Sequence, residues 1–144
     1  MNVDIGSILS DWPFEPGQVS ARRIRGADGR DKIQLRLDMG LLQMEVVGRP
    51  DGTRPHGCEC WLSYYENQLE AHRQRTGGEE GFHIDEDGCE RLRNEAQMYY
   101  HRYLAEFVLE DYEAVERDTQ RNLRVMDFLN TYAQDDTDRF AMDQ

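Results

Sequence analysis

The chain has 144 residues, a net charge of −12 and only 38 % hydrophobic residues, which is the size of one domain with a modest core. No apolar run is long enough to span a membrane, and Met1–Ile5 has no basic segment leading into an apolar stretch. We therefore expect a cytoplasmic protein. Three cysteines fit a reducing compartment better than a disulfide scaffold.

The negative charge lies in the C-terminal part of the chain. Residues 1–55 hold eight basic and eight acidic side chains, whereas residues 56–144 hold nine basic and twenty-one acidic ones. A basic nucleic-acid groove is therefore not expected there. A solvated acidic face is the preferred interpretation, and a basic partner is the alternative.

Residues 1–17 form a lead-in with enough apolar residues for one short helical turn. Pro13 and Pro16 disfavour a helix beyond that turn. We expect the side chains of Trp12 and Phe14 to pack an extended segment against the core.

From Val19 the hydrophobic pattern has period two, which predicts strands with one apolar face. Two alternating runs mirror each other about Met39-Gly40 and predict a hairpin. The expected pairs are Leu37 with Leu42, Leu35 with Met44 and Ile33 with Val46. The alternative is one long strand over 32–47 with a bulge at Gly40.

A second mirror point at Asp28-Gly29 is a two-residue hairpin signal. It would pair Ile24 with Ile33. The sequence therefore predicts a meander of three strands near 18–26, 31–38 and 41–48.

From about Cys58 the pattern becomes helical. The first predicted helix ends near Arg75, before Gly77-Gly78, and the second starts at Asp85 or Asp87, either of which can cap it. A third helix follows a turn at 109–112. The apolar stripe of the second helix is predicted to be Leu92, Ala96, Tyr99, Tyr103 and Phe107, and Tyr100, Leu104 and Val108 widen it. The apolar stripe of the third helix is predicted to be Tyr112, Val115, Thr119, Leu123, Met126 and Leu129.

These elements predict an α+β fold in which a small antiparallel β-meander packs against about three α-helices. The meander lobe would cover residues 18–48 and the helical lobe residues 58–133 of a single domain, 1–144. The chain could also be an N-terminal piece of a longer protein.

The segments Tyr99-Tyr100-His101-Arg102-Tyr103-Leu104-Ala105 and Leu109-Glu110-Asp111-Tyr112-Glu113-Ala114-Val115 resemble a tetratricopeptide-type helical hairpin over about residues 91–130. The resemblance implies a packing unit that contacts other proteins. Glu110 stands where that family usually has the turn glycine, and Tyr103 and Val115 stand where it has small residues. One unit cannot form an array, since several repeats are needed for stability.

A second resemblance rests on Trp12-Pro13-Phe14 and on residues 32–45, KIQLRLDMGLLQME. These segments are similar to the N-terminal region of uncharacterised bacterial proteins that carry a UVR motif. The UVR hairpin, a protein-contact element, lies further along in those proteins and is not found here. The resemblance implies no catalytic residue.

The residue types that could bind a metal are His56, Cys58, Cys60, His83 and Cys89. Thiolates and imidazoles are the ligands that zinc selects. The spacing departs from the Cys-x2-Cys pairs of common zinc fingers, so the preferred interpretation is that no metal or other cofactor is bound. Cys89 and one of the other two cysteines would then be small buried apolar residues.

Tyrosine-rich surfaces are favoured at protein interfaces, and Tyr64 and Tyr100 are the candidates for partner contact. The other aromatics of the last two helices are expected in the core. The favoured function is a non-enzymatic protein-interaction or scaffold module, for which a homodimer is one arrangement. The alternatives are an acidic inhibitor or nucleic-acid mimic that binds a basic protein surface, and a small zinc-binding protein.

Overall fold

A computed structural model describes residues 3–134, and these form a three-stranded antiparallel sheet with three long helices, which confirms the predicted α+β class. None of the helices in this described part is long and apolar enough to cross a membrane. The elements in chain order are α1 (Gly6–Ser10), β1 (Ala21–Arg25), β2 (Asp31–Leu37), β3 (Gly40–Glu45), a 3-10 turn (Pro55–Gly57), α2 (Trp61–Thr76), α3 (Glu86–Val108) and α4 (Tyr112–Tyr132).

The strands β2 and β3 form the predicted hairpin, but in a different register. Leu35 pairs with Leu42, Ile33 with Met44 and Leu37 with Gly40, so the turn residues are Asp38 and Met39. The predicted pairs were wrong by two residues. Because side chains alternate with period two, this shift leaves the same residues on the inner face of the sheet.

The pairing of β1 with β2 differs from the prediction by one residue. Ile24 lies opposite Lys32, not Ile33, and therefore belongs to the outer face. The connection is a five-residue loop closed by the Gly26 amide, which donates to the Arg30 carbonyl at 2.7 Å. The two-residue turn expected at Asp28-Gly29 would have imposed the other register.

The outer face of the sheet is polar and internally hydrogen-bonded. Gln34 accepts from Arg22 Nε at 2.7 Å and donates to Gln43 at 2.9 Å. Arg36 Nε donates to the Trp12 carbonyl at 2.7 Å, and the Arg22 guanidinium lies 4.3 Å from the centre of the Trp12 ring. The lead-in is thus held against the outer face of the sheet through half-buried Trp12. The prediction that Trp12 and Phe14 hold this segment onto the core was wrong, because neither side chain belongs to the two buried clusters.

The inner face of the sheet packs on α3. Ile33, Leu35 and Met44 form a buried cluster with Ala105. A second cluster joins the helices, and its buried members are Cys60, Leu62, Leu69, Ile84, Cys89, Leu92, Val125, Phe128, Leu129 and Ala133. The helix α3 therefore takes part in both clusters.

The predicted starts and ends of the long helices are largely confirmed. The helix α2 ends at Gly77, which has φ +86° and takes the left-handed conformation that glycine allows at a helix end. Asp85 caps α3 by accepting from the Gly88 amide at 2.8 Å. The helix α2 begins at Trp61, three residues after the start predicted near Cys58, and a 3-10 turn at Pro55–Gly57 precedes it.

The turn between α3 and α4 places a glutamate in a conformation that favours glycine. Glu110 has φ +62°, and its amide donates to the Phe107 carbonyl at 3.1 Å. The Asp111 amide donates to the Glu106 carbonyl at 3.0 Å, which completes a Schellman motif. Asp111 then caps α4 by accepting from the Ala114 amide at 3.3 Å.

Candidate functional site

The five candidate metal ligands do not form one cluster. Cys89 and Cys60 are buried, and the Cys89 thiol donates to the Ile84 carbonyl at 3.7 Å. His56 and His83 line a different cavity from Cys60. Within residues 3–134, no group of three or more His, Cys, Asp or Glu side chains could hold a metal ion.

His56 and Tyr64 lie together in an aromatic cleft. Their rings stack with centroids 4.8 Å apart, and Tyr64 meets Trp61 edge-on at 5.4 Å. His56 has φ +51°, a left-handed conformation that is uncommon for a residue other than glycine. The cleft has a volume of about 370 Å³ and also contacts His83 and Arg91.

The second candidate tyrosine, Tyr100, is one of several large apolar side chains on and between α3 and α4 that are exposed. Phe107 is 61 % exposed, Tyr112 is 56 % exposed and Leu123 is 57 % exposed. The Phe107 and Tyr112 rings contact each other across the turn, with centroids 5.9 Å apart. We call this surface the hairpin face and define it by its exposed members, Tyr100, Phe107, Val108, Tyr112 and Leu123.

The hairpin face corrects the predicted core of the two helices. Leu92, Ala96, Tyr99 and Leu129 are buried as expected. Phe107 and Tyr112 were expected to be buried, and that prediction was wrong, whereas Tyr100 was expected to be exposed and is 39 % exposed. The interior between the helices instead contains five buried charged residues, Glu95, Arg102, Glu106, Asp118 and Arg121.

The first half of this buried network joins α3, α4 and the sheet. Arg102 contacts the Asp118 carboxylate through two hydrogen bonds, Nε to Oδ2 at 2.8 Å and Nη2 to Oδ1 at 3.0 Å. Its Nη1 donates to the Glu45 carbonyl at 2.9 Å, at the end of β3. Arg117 Nη2 donates to Glu106 Oε2 at 3.0 Å and to the Val46 carbonyl at 3.1 Å.

The second half of the network is centred on Glu95. Its carboxylate accepts from the Trp61 amide at 2.7 Å and the Leu62 amide at 3.2 Å, so α3 caps the N-terminus of α2. Arg121 donates to the same carboxylate, and Arg49 Nε lies 2.9 Å from its Oε2. One buried carboxylate thus fixes the relative positions of three helices, α2, α3 and α4, and the loop after β3.

The two carboxylates nearest Arg117 have opposite pKa shifts. Burial and the neighbouring Asp118 raise the pKa of Glu106 to about 8. Burial would also raise the pKa of Asp118, but hydrogen bonds from Arg102, Glu106 and Arg117 outweigh it and lower that pKa. Near neutral pH Glu106 is therefore mostly protonated, and Asp118 is the charged partner of Arg102.

Sequence reasoning missed the buried network because it placed every charged residue in solvent. A signal was present in the spacing. Arg117, Arg121 and Arg124 follow each other at intervals of four and three residues, which places them on one helix face. Asp118 is interleaved among them, while Glu95 and Arg102 lie seven residues apart on α3. Such opposite charges at helical spacing on two adjacent helices are compatible with an internal network.

Comparisons with known proteins found no match to a protein-family model, a curated protein or a solved structure.

Proposed function

We propose that this chain is a non-enzymatic protein-interaction module whose hairpin face binds a basic amphipathic helix of a partner protein. The observation that carries the proposal is the exposure of Phe107, Tyr112 and Leu123. Phe107 and Tyr112 are in ring contact, and exposed apolar patches mark contact surfaces. Aromatic side chains in such patches contribute most to binding when a partner covers them.

The shape of the hairpin face fits a helix. Tyr100 and Phe107 are seven residues apart on α3, so both project from one side of that helix. Tyr112 and Leu123 are eleven residues apart on α4 and share a face over about 16 Å. Two adjacent helices with apolar residues on one side form the surface on which an amphipathic helix packs its own apolar stripe.

The negative charge around the hairpin face favours a partner with basic side chains. Residues 103–116 contain five acidic side chains and no Lys, Arg or His. Of these, Glu110, Glu113 and Glu116 are exposed beside Phe107 and Tyr112 in the sequence. A partner with lysine or arginine flanking its apolar stripe would gain attraction from this rim, and a second copy of this acidic chain would be repelled.

The test uses a synthetic helical peptide of about 18 residues, built from leucine on one face and lysine on the other. Its binding to the full chain is measured by isothermal titration at low and high salt. We expect saturable binding that weakens as salt rises. The Phe107→Ser variant should bind about tenfold more weakly, because the apolar anchor is lost.

Two controls separate this surface from general charge attraction. A peptide of the same composition with a scrambled order carries the same charge but no apolar stripe, and it should bind much more weakly. The Met39→Ser variant removes an apolar side chain that is 86 % exposed on the β2–β3 turn, and it should bind normally. Equal binding of both peptides, or a stable homodimer in sedimentation that Phe107→Ser dissociates, would overturn the proposal.

A further inference from the structure

A cavity of about 310 Å³ lies where the loop after β3, the start of α2 and the two long helices meet. It is separate from the hairpin face. Four arginines line it, Arg102, Arg117, Arg121 and Arg124. The carboxylates on its wall are Asp118 and Glu59, and Glu66, Glu95 and Glu106 pair with the wall arginines from outside the cavity.

The arginines in and beside this cavity each have a carboxylate partner. Arg49 lies beside Asp51 and Glu95, and Arg121 also pairs with Glu95. Arg117 donates through Nε and Nη2, and Arg124 donates to Glu66 through Nη2. A guanidinium group carries five N–H donors, so these two half-exposed side chains have further donors for another acceptor.

One of these cations has a hydrogen-bond donor to spare. Arg121 is 7 % exposed, and its Nε is buried without a hydrogen-bond partner among the described residues. Its other nitrogens donate to Glu95 and to Asn122 Oδ1. Buried donors are nearly always satisfied in folded proteins, so an unsatisfied guanidinium N–H on a residue that lines a cavity calls for an acceptor.

We infer that this cavity binds a small ligand through a phosphate group. Arg121 Nε supplies a buried donor, and the half-exposed guanidinium groups of Arg117 and Arg124 lie at the same wall. A phosphate presents several acceptor oxygens and up to two charges, which matches converging guanidinium groups better than one carboxylate does. The apolar part of the wall, Val47, Leu62 and Tyr99, would contact the body of the ligand.

The test measures binding of inorganic phosphate to the full chain by backbone amide NMR, against chloride at equal ionic strength. We expect saturable shifts with a dissociation constant below about 1 mM, confined to residues at the cavity wall such as Gly48 and Ser63. The Arg124→Gln variant changes a solvent-accessible wall residue and should raise the dissociation constant about tenfold.

The matched control is Arg75→Gln, which makes the same charge change at an exposed position in the last turn of α2. It should leave phosphate binding unchanged. Three results would each overturn the inference: no saturable shifts, equal loss of affinity in both variants, or acetate binding as tightly as phosphate.

Discussion

The Glu106→Gln substitution keeps the shape of a fully buried side chain and removes its ability to ionise. Glu106 Oε2 accepts from Arg117 at 3.0 Å, and a glutamine carbonyl can accept the same hydrogen bond. Among the described residues, Glu106 Oε1 has no hydrogen-bond partner. An amide at that position would bring donors towards the charged Asp118 carboxylate, as the protonated glutamic acid does.

The size of the effect follows from the pKa of Glu106, which is about 8 in the folded protein against 4.5 for an unperturbed glutamate. Between those values the folded state holds a proton that the unfolded state has lost. The stabilisation from this proton is fully present below the unfolded pKa and is lost as pH rises through the folded pKa. One pKa unit corresponds to about 1.4 kcal/mol, so the free energy of unfolding should fall by about 2 kcal/mol between about pH 6 and about pH 8.

The measurement is urea unfolding at pH values across this window, for the wild-type chain and for Glu106→Gln. Both proteins share every other titratable group, so the difference between their pH profiles isolates Glu106. The variant should lack the wild-type fall and should be the more stable protein at the alkaline end. Glu116→Gln makes the same charge change at an exposed position on α4 and should keep the wild-type profile.

Parallel profiles for wild type and Glu106→Gln would refute this reasoning. That result would mean that Glu106 is ionised at neutral pH in the folded state.

Two further predictions concern the helix ends. Glu110→Gly should raise the free energy of unfolding by about 0.5–1 kcal/mol, because glycine adopts a positive φ without the penalty that glutamate incurs. Glu110→Ala keeps that penalty and should show no such gain in urea unfolding, so a gain of the same size in both variants would contradict the argument. Asp85→Ala should lower the free energy of unfolding by about 1 kcal/mol, because the Gly88 amide loses its cap. Asp85→Asn is the matched control, since its side-chain oxygen can still accept that hydrogen bond and its stability should stay near wild type.

The elements of this fold could be predicted from sequence because each depends on local signals. Alternating apolar residues from Ile33 to Met44 predicted two strands. The residues of their inner face were predicted correctly although the register was not. Asp85 and Gly77 marked helix boundaries through capping and the left-handed conformation, which depend on a few adjacent residues. The pairing of β1 failed because a five-residue loop and a two-residue turn are both compatible with the same local sequence.

The candidate sites were only partly predictable. The sequence pointed to Tyr64 and Tyr100, and the structure places Tyr64 in an aromatic cleft and Tyr100 on the hairpin face. It also expected Phe107 and Tyr112 in the core, where they are not. Hydrophobicity alone assigns aromatic residues to the interior, but a helix with apolar residues on more than one side cannot bury all of them against a single partner.

By itself, the sequence determined which segments are helical or extended, since hydrophobic period and end signals are properties of neighbouring residues. Only the tertiary structure decided which side of α3 and α4 faces inward. That choice depends on partners distant in sequence: Arg102 reaches the carbonyl of Glu45, and Glu95 accepts from the amides at the start of α2. Burying these charges is favourable only when all of their hydrogen-bond partners are in place. Those partners lie on distant segments, so no pattern of neighbouring residues predicts the burial.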